Sequence, residues 1–268
     1  MDPATAFVLQ MKNSKKYRSI CEETVLDVLR QELNNHGSFK KAVPAAKERL
    51  HKLWAEFLGV PNYKKLGKRL SLAFATDDTT EIETVCMEIL GVHASAQERI
   101  SLFEENYYGT LFGITGKPKK LADFACALHP FSFRWMGLDP SVDYYAYDIN
   151  KDFTDFIQQY FQLEGISPLV FWQDIYVNIP EQHFDIVLIF KMFHCLEHRR
   201  KGAGLELLKK TNADWLAVSF PKQNLHGKKA DIYGNYSAKI EETGAALNWH
   251  LQRVDFSNEV LLIIKKIN

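Results

Sequence analysis

The sequence predicts an α/β fold in which a parallel sheet ends in an antiparallel hairpin and is preceded by a helical N-terminal domain. Two observations support this prediction. Up to Gly116 the apolar residues recur at helical spacing, whereas after it short apolar runs alternate with helical stretches. The last two apolar runs are joined by only a short Ser-Asn link, which requires a hairpin. We therefore expect a helical domain over 1–105 and an α/β domain over 106–268.

The first third of the chain has the spacing of successive helices. Apolar residues follow Ser14, a candidate N-cap, and the pattern stops at an Asn-Asn-His-Gly stretch. A later helix begins with Ser95 and Glu98 at the spacing of a capping box. Helices are predicted over 14–37, 39–59, 63–74, 79–93 and 95–113.

The rest of the chain alternates strands with helices. Apolar runs predict strands over 121–127, 144–149, 169–175, 184–191, 215–220, 251–256 and 259–266. Helical patterns occupy 151–165, 194–210 and 231–247. Strands that alternate with helices form a parallel sheet with helices on both faces. Five such units followed by a hairpin have the shape of a Rossmann-like S-adenosylmethionine (SAM) methyltransferase domain, so SAM is the expected cofactor.

Composition limits the class of protein. The chain has 268 residues, of which 46% are hydrophobic and 13% aromatic, enough for a sizeable core. It contains no apolar run long enough to span a membrane and no apolar core of a signal peptide. Its four cysteines are scattered and form no CxxC pair. We therefore expect a cytoplasmic protein with reduced thiols, no membrane partner, no disulfides and no metal site.

The net charge is zero, but the charges are unevenly distributed. Residues 1–70 contain 14 Lys and Arg against 7 Asp and Glu, whereas 71–116 contain 1 against 8. A basic N-terminal third predicts either a surface that faces a polyanion or an ordinary solvated helical surface. Helical spacing in 39–59 puts basic residues largely on one side and leaves Ala45, Leu50, Leu53 and Trp54 for the core. The basic candidates for RNA docking are Lys15, Lys16, Lys40 and Lys41.

Three acidic residues lie near the ends of successive predicted strands. In parallel sheets ligands bind beyond the carboxyl ends of the strands. Asp148 lies 25 residues after Asp123, a spacing that suits a carboxylate accepting from ribose hydroxyls. Asp174 is placed to accept from an adenine amino group. The alternative is that each acid caps the helix that follows it.

Basic residues follow the fourth and fifth strands. Lys191 ends the fourth strand, where it either faces substrate phosphate or base, or reaches out to solvent. Pro221 is expected to end the fifth strand. The loop after it is basic and is preceded by Phe220, a combination that suits an unstacked RNA base, although a mobile solvated loop explains it equally. The basic residues of this loop are Lys222, His226, Lys228 and Lys229.

An ordered set of short motifs resembles the aminoglycoside-resistance 16S rRNA methyltransferases of the Arm/Rmt/FmrO type. The motifs are SKKYRSICEETV, AAKERLHKLWAEF, HASAQERI, YYAYDI, LIFKM, VSFPKQNLHGKK, NY and NEVLLIIKK, and they cover nearly the whole chain. Each motif alone is weak, but the ordered set is specific. That family uses SAM to methylate guanine N7 in the decoding site of the 30S subunit, and it confers aminoglycoside resistance.

The resemblance implies a role for individual residues. Arg99 is expected to reach the SAM carboxylate, and 123–130 to hold the methionine and ribose side. The implied cofactor-binding set is Arg99, Asp123, Ala125, Ala127, Asp148, Ile149, Asp174 and Ile175. The implied catalytic set that shapes the target-base pocket is Lys191, Phe220, Lys222 and Glu259, with Asn235 and Tyr236 as further RNA contacts.

The cofactor turn departs from the pattern of the resembled family. That family keeps a glycine where this chain has Ala127 and an asparagine where it has His129. The alanine methyl group either fits or projects into the cofactor, and a left-handed backbone there would cost alanine roughly 1 kcal/mol. The later loop also differs, with Asn224 in place of serine and 231–232 in place of Gly-Met.

Three functions remain open at this stage. The first is an active, monomeric 16S rRNA methyltransferase. The second is a non-catalytic RNA- or ribosome-binding relative with a degenerate SAM site, which the turn substitutions favour. The third is a methyltransferase for another RNA, which the altered loop favours. Because guanine N7 carries a lone pair and no proton, the lack of an obvious general base does not argue against activity.

Overall fold

A seven-stranded mixed sheet forms the centre of the molecule, as predicted. The computed structural model describes residues 2–55, 62–223 and 231–267, with the side chains of 53–55 left aside. The strands are β1 (Lys120–Phe124), β2 (Asp143–Asp148), β3 (Val170–Trp172), β4 (Phe184–Phe190), β5 (Ala213–Pro221), β6 (His250–Asp255) and β7 (Glu259–Lys265). Their order in the sheet is β3-β2-β1-β4-β5-β7-β6.

The first five strands are parallel, and the last two form the predicted antiparallel hairpin. β7 inserts beside β5 and pairs with it antiparallel from Trp215 to Pro221. Pairing therefore continues through Ser219, Phe220 and Pro221. Pro221 is the last residue of β5 and pairs with Glu259, and the Lys222 N–H still donates to the Asn258 carbonyl at 2.9 Å, so the proline does not stop the pairing with the hairpin as predicted.

Helices cover the sheet and form the N-terminal region. They are α1 (Pro3–Lys12), α2 (Glu22–His36), α3 (Phe39–Ala55), α4 (Tyr63–Ala75), α5 (Thr79–Leu90), α6 (Ala94–Ile100), α7 (Tyr107–Thr115), α8 (Phe133–Met136), α9 (Lys151–Glu164), α10 (Phe193–Arg199), α11 (Ala203–Lys210) and α12 (Gly234–Ala246). Short 3₁₀ turns occupy Ser101–Phe103 and His129–Ser132. None of the helices in the described part of the chain combines the length and apolar composition needed to cross a membrane.

The N-terminal helices differ from the prediction at their starts. The sequence analysis missed α1, which Asp2 caps by accepting from the backbone N–H groups of Ala4 and Thr5. The next helix begins at Glu22 rather than after Ser14. The segment between them is used otherwise, because Ile20 forms a β-bridge with Asn150 far along the chain.

Two predicted helices are each broken in two. Asn106 adopts a left-handed backbone with φ 56° and separates α6 from α7. The predicted capping box is wrong, because the N-cap of α6 is His93 and Glu98 contacts Lys191 instead. Gly202, with φ 86°, likewise separates α10 from α11.

The hydrophobic core is divided among three clusters of buried residues. One lies among α1, α2 and α3 and includes Ala46 and Leu50. Ala45 was expected in the core but is half-buried, and Ala42 is buried in its place. Leu53 and Trp54 lie outside the described side chains. The helices from α4 to α7 instead share one cluster with one face of the sheet. The domain boundary at 105/106 stays a prediction.

Candidate functional site

One cavity lies at the carboxyl ends of the parallel strands, where the sequence predicts a cofactor. Its volume is about 710 Å³, within the range of small-molecule sites. All eight predicted cofactor-binding residues line it: Arg99, Asp123, Ala125, Ala127, Asp148, Ile149, Asp174 and Ile175. A shared cofactor site requires these residues to lie around one cavity, and they do. Their role in binding the cofactor stays a prediction.

The turn after β1 has the backbone of a glycine turn although its residues are alanines. Ala125 and Ala127 have φ values of 52° and 46°, in the left-handed region that favours glycine. The Cys126 N–H donates to the Tyr147 carbonyl, and the Ala127 N–H donates to Asp148 Oδ2, at 3.0 and 2.8 Å. The methyl group of Ala127 packs against the apolar cluster shared with α4 to α7. The turn therefore keeps its left-handed shape without glycine.

Asp148 is the centre of the turn at the end of β2. Its Oδ1 accepts from the Asn150 N–H and its Oδ2 from the Ala127 N–H, both at 2.8 Å. The side chain is 7% exposed, and burial raises the pKa of its carboxyl to about 6. Each oxygen keeps a lone pair beyond its backbone bond, so the carboxylate can accept two hydroxyl groups from one side.

Asp123 is held by a buried polar network. Its Oδ2 lies 2.7 Å from His129 Nδ1 and accepts from the Tyr144 hydroxyl at 2.9 Å. His129 Nε2 lies 2.7 Å from the hydroxyl of Tyr108, which also contacts Ser132. The histidine that departs from the family's asparagine thus has a partner on each ring nitrogen. The sequence shows the departure but not these two bonds, one of which joins residues that are 21 positions apart.

Arg99 lines the cavity and belongs to a buried cluster of charged and aromatic side chains. Its Nη2 donates to Glu259 Oε2 at 3.2 Å, and its guanidinium lies 4.4 Å from the centre of the Phe190 ring. Glu259 is 0% exposed and also accepts from the Tyr107 hydroxyl at 2.5 Å. Arg99 Nε lacks a hydrogen-bond partner among the described residues. A buried donor of this kind marks a place that a ligand acceptor can satisfy.

Glu259 lies outside the lining of the cavity, and its predicted catalytic role stays a prediction. It lies behind Arg99 and Lys191, whose Nζ is 3.4 Å from Glu259 Oε2. Burial alone would raise the pKa of Glu259, but the charges of Arg99 and Lys191 outweigh burial and lower it. Glu259 remains ionised and positions both cations.

Lys191 lines the cavity but is not at an exposed rim. It is 7% exposed, has a left-handed backbone with φ 54°, and its Nζ contacts Glu98 and Glu259. The same cations affect nearby His93, whose pKa is lowered to about 4 by burial and by the charges of Arg99 and Lys191. The charge of Lys191 is thus paired within the protein, and its predicted catalytic role remains a prediction.

Phe220 and Lys222 are not among the residues that line the cavity, and the catalytic roles predicted for them stay predictions. Phe220 is 0% exposed and packs between Phe193 and Tyr233, with ring centres 5.5 and 5.4 Å away, so it does not line the cavity. Lys222 extends toward the hairpin, where its Nζ donates to the Phe256 carbonyl at 2.5 Å and lies 3.1 Å from Asp255. Successive side chains of a strand point to opposite faces, which places Phe220 in the core.

The predicted RNA-binding residues are mostly on the surface. Lys15, Lys16, Lys40 and Lys41 are all exposed. Asn235 is exposed, and Tyr236 is half-buried with its ring 5.2 Å from that of Phe193. His226, Lys228 and Lys229, as well as Asn224, lie outside the described residues.

Asp174 has a partner that the sequence analysis missed. Its Oδ2 accepts from Arg199 Nη1 at 2.7 Å and from the Thr24 hydroxyl at 2.8 Å. Arg199 also lines the cavity and stands in the Glu-His-Arg-Arg stretch that was assigned only to a helix. A buried strand-end acid needs a counter-charge, which was the available signal, but the sequence does not indicate which arginine supplies it.

A second polar cluster lies at the opposite end of the sheet. His183, Asp185 and Asp214 place ligand atoms within 4.8 Å of one another. All three side chains already have hydrogen-bond partners in the protein. His183 bonds to Asp214, and Asp185 accepts from the N–H groups of 119 and 120. We assign no metal to this cluster, and the expectation of a metal-free protein stays a prediction.

The cavity and its fold have counterparts in known proteins. The model of a family described as Ribosomal RNA methyltransferase (FmrO) matches residues 13–264. A 16S rRNA (guanine(1405)-N(7))-methyltransferase of Frankia casuarinae is 29% identical over 257 residues, covering 94% of this chain and 90% of that protein. A protein of the same name from Proteus mirabilis is 26% identical over 280 residues, covering 100% of this chain and 98% of its own.

Solved structures agree with these relatives. The structure of the 16S rRNA methylase RmtB superposes with a TM-score of 0.79 at 26% identity and covers 98% of both chains. An rRNA methylase from Escherichia coli superposes with a TM-score of 0.78, also at 26% identity, covering 98% of this chain and all of its own. The likeness therefore extends over the N-terminal helices as well as the sheet.

Proposed function

The chain belongs to the ribosomal RNA methyltransferase (FmrO) family, and we propose that it transfers a methyl group from SAM to guanine N7 of 16S rRNA in the 30S subunit. The observation that carries this proposal is the convergence of all eight predicted cofactor residues on one cavity. The curated relatives carry names that specify the same base and atom. Aminoglycoside resistance of the host would follow from methylation in the decoding site.

The donors and acceptors of the cavity fit SAM. Asp148 offers two carboxylate oxygens for ribose hydroxyls, and Arg99 offers a buried Nε for the methionine carboxylate. Both hydrogen bonds of Asp123 fall on Oδ2, so Oδ1 is available to the methionine amino group. The alanine turn has the left-handed backbone with which such turns approach a ligand. When bound, SAM supplies an activated methyl group on a positively charged sulfur.

The charges around the cavity suit a cationic methyl donor. A lysine or arginine alone near a sulfonium would repel it. Here Arg99 and Lys191 are balanced by Glu98 and Glu259, so the cluster carries no net charge. The protein can therefore hold a methionine carboxylate on Arg99 without raising the energy of the neighbouring cation. Because guanine N7 needs no deprotonation, the remaining work of the protein is to position the base and to exclude water.

The helical region over 1–105 is proposed to dock on ribosomal RNA, while 106–268 holds the cofactor. The exposed lysines of the N-terminal helices suit phosphate contacts, which give affinity without reading bases. The segment from Lys222 to Tyr236 is proposed to contact the target nucleotide. We further propose that the protein acts in the cytoplasm and as a monomer. Light scattering at micromolar concentration measures its molar mass and so tests the monomeric state.

Calorimetric titration with SAM distinguishes this function from a non-catalytic relative. The wild type is expected to bind SAM and S-adenosylhomocysteine, and Asp148→Ala to lose binding because two charge-assisted bonds of about 1.5–3 kcal/mol each disappear. Asp139→Ala, which removes an exposed carboxylate far from the cavity lining, serves as the matched control. Absence of binding by the wild type at millimolar SAM would favour the non-catalytic relative.

A further inference from the structure

The N-terminal helices contact the cavity, and Arg49 and Lys52 of α3 are among the residues that line it. Although α1, α2 and α3 have a hydrophobic cluster of their own, the segment that enters α2 pairs with the turn after β2. The Cys21 N–H donates to the Ile149 carbonyl at 2.9 Å, and the Lys151 N–H donates to the Ser19 carbonyl at 2.7 Å. The backbone on both sides of Asn150 is therefore held by the N-terminal region.

Arg199 makes a second connection between α2 and the cavity. Its Nη1 donates to Asp174 at 2.7 Å, while its Nη2 and Nε donate to Asp27 of α2 at 2.6 and 3.1 Å. Thr24, also on α2, donates to the same oxygen of Asp174 as Arg199 does. Arg199, Asp174 and Thr24 are all buried, so these bonds are shielded from solvent and depend on one relative placement of α2, α10 and the turn after β3.

The shape of the guanidinium suits this double role. The group stacks on Tyr176, with its central carbon 4.2 Å from the ring centre, and presents different nitrogens to the two carboxylates. A lysine at this position would carry the same charge but only one nitrogen. The Arg199 carbonyl also accepts from Arg49 of α3, so a third N-terminal element is attached to the same point.

We propose that Arg199 is a positioning residue that couples cofactor binding to docking of the N-terminal helices. A cofactor in the cavity stabilises the placement of Asp174, which through Arg199 and Thr24 stabilises α2. By reciprocity, RNA bound to the helices stabilises Asp174 and favours the cofactor. The proposal rests on the function proposed above, since it needs both a cofactor in this cavity and RNA on these helices.

The test measures 30S affinity with and without saturating S-adenosylhomocysteine. For the wild type the cofactor product is expected to tighten 30S binding about fivefold or more. In Arg199→Lys and in Asp27→Asn this tightening should be clearly smaller, because the connection from Asp27 through Arg199 to Asp174 is lost and the bond from Thr24 alone still joins α2 to Asp174. Arg200→Lys is the matched control, since the Arg200 side chain bonds to Tyr176 and Glu206 and does not line the cavity, and it should behave as wild type.

Hydrogen exchange of residues 14–36 provides a second measurement that does not need the ribosome. S-adenosylhomocysteine should slow exchange there in the wild type and in Arg200→Lys, but much less in Asp27→Asn, whose half-exposed side chain makes loss of folding unexpected. Equal cofactor effects in the wild type and Asp27→Asn, or no effect in a wild type that binds the cofactor, would overturn the coupling. A wild type that does not bind the cofactor would instead overturn the proposed function.

Discussion

The left-handed backbone at the cofactor turn makes a prediction about stability that is opposite to the usual effect of glycine. Ala125 has φ 52°, and an L-residue pays about 1–2 kcal/mol for the left-handed conformation. Glycine removes that cost but gives the unfolded chain more freedom, which offsets about 0.4–1 kcal/mol of the gain. Ala125 is not packed against any of the hydrophobic clusters in the described residues, so little apolar contact is lost.

Ala125→Gly is therefore expected to stabilise the protein by about 0.5–1 kcal/mol, which corresponds to roughly 1–4 °C in Tm for a chain of this size. The matched control is Ala238→Gly, at an exposed position inside α12, where glycine should destabilise by about 0.5–1 kcal/mol. Thermal and urea unfolding of both variants beside the wild type measure the two signs. If Ala125→Gly lowers stability as much as Ala238→Gly, the turn does not have the left-handed backbone described here.

Three further predictions concern binding. SAM affinity should fall by up to about tenfold per pH unit below pH 6, because burial raises the pKa of Asp148 to about 6 and the protonated carboxyl loses an acceptor. Calorimetry from pH 5.5 to 7.5 measures this dependence, and an affinity that does not change with pH would contradict it. Ala127→Gly should change SAM affinity less than about threefold, since its methyl group packs on the core, whereas a tenfold tightening would show that it crowds the ligand. A variant with four N-terminal lysines neutralised should keep its SAM affinity but bind 30S subunits more weakly and with a shallower salt slope, which a filter-binding salt series measures. The four are Lys15, Lys16, Lys40 and Lys41.

The sheet was predictable because its evidence is local. Most strands contain a short apolar run, and β4 and β7 are buried along nearly their whole length. The helix starts were less predictable because distant contacts override local spacing. Ser14 looks like a cap, but Ile20 is needed for the bridge to Asn150, so α2 begins later.

The sequence predicts correctly the site residues that lie at strand ends. It does not predict which face of a strand a side chain is on. Asp123 and Asp148 follow buried runs, and their positions in the sheet bring them together. Phe220 and Glu259 lie near the edge of the sheet where the cavity is, but neither side chain lines the cavity. Partners such as Arg199 could not be predicted, because a counter-charge 25 residues from Asp174 is chosen by packing rather than by spacing.

Methyl transfer to purified 30S subunits is the measurement that decides whether the protein is a 16S rRNA methyltransferase. The wild-type protein is incubated with 30S subunits and radiolabelled SAM, and the product is mapped by chain cleavage at N7-methylguanine followed by primer extension. We predict about one methyl group per subunit, at N7 of a single guanine in the decoding site, and no labelling by Asp148→Ala. A wild type that binds SAM but labels no 16S rRNA guanine in 30S subunits would contradict it.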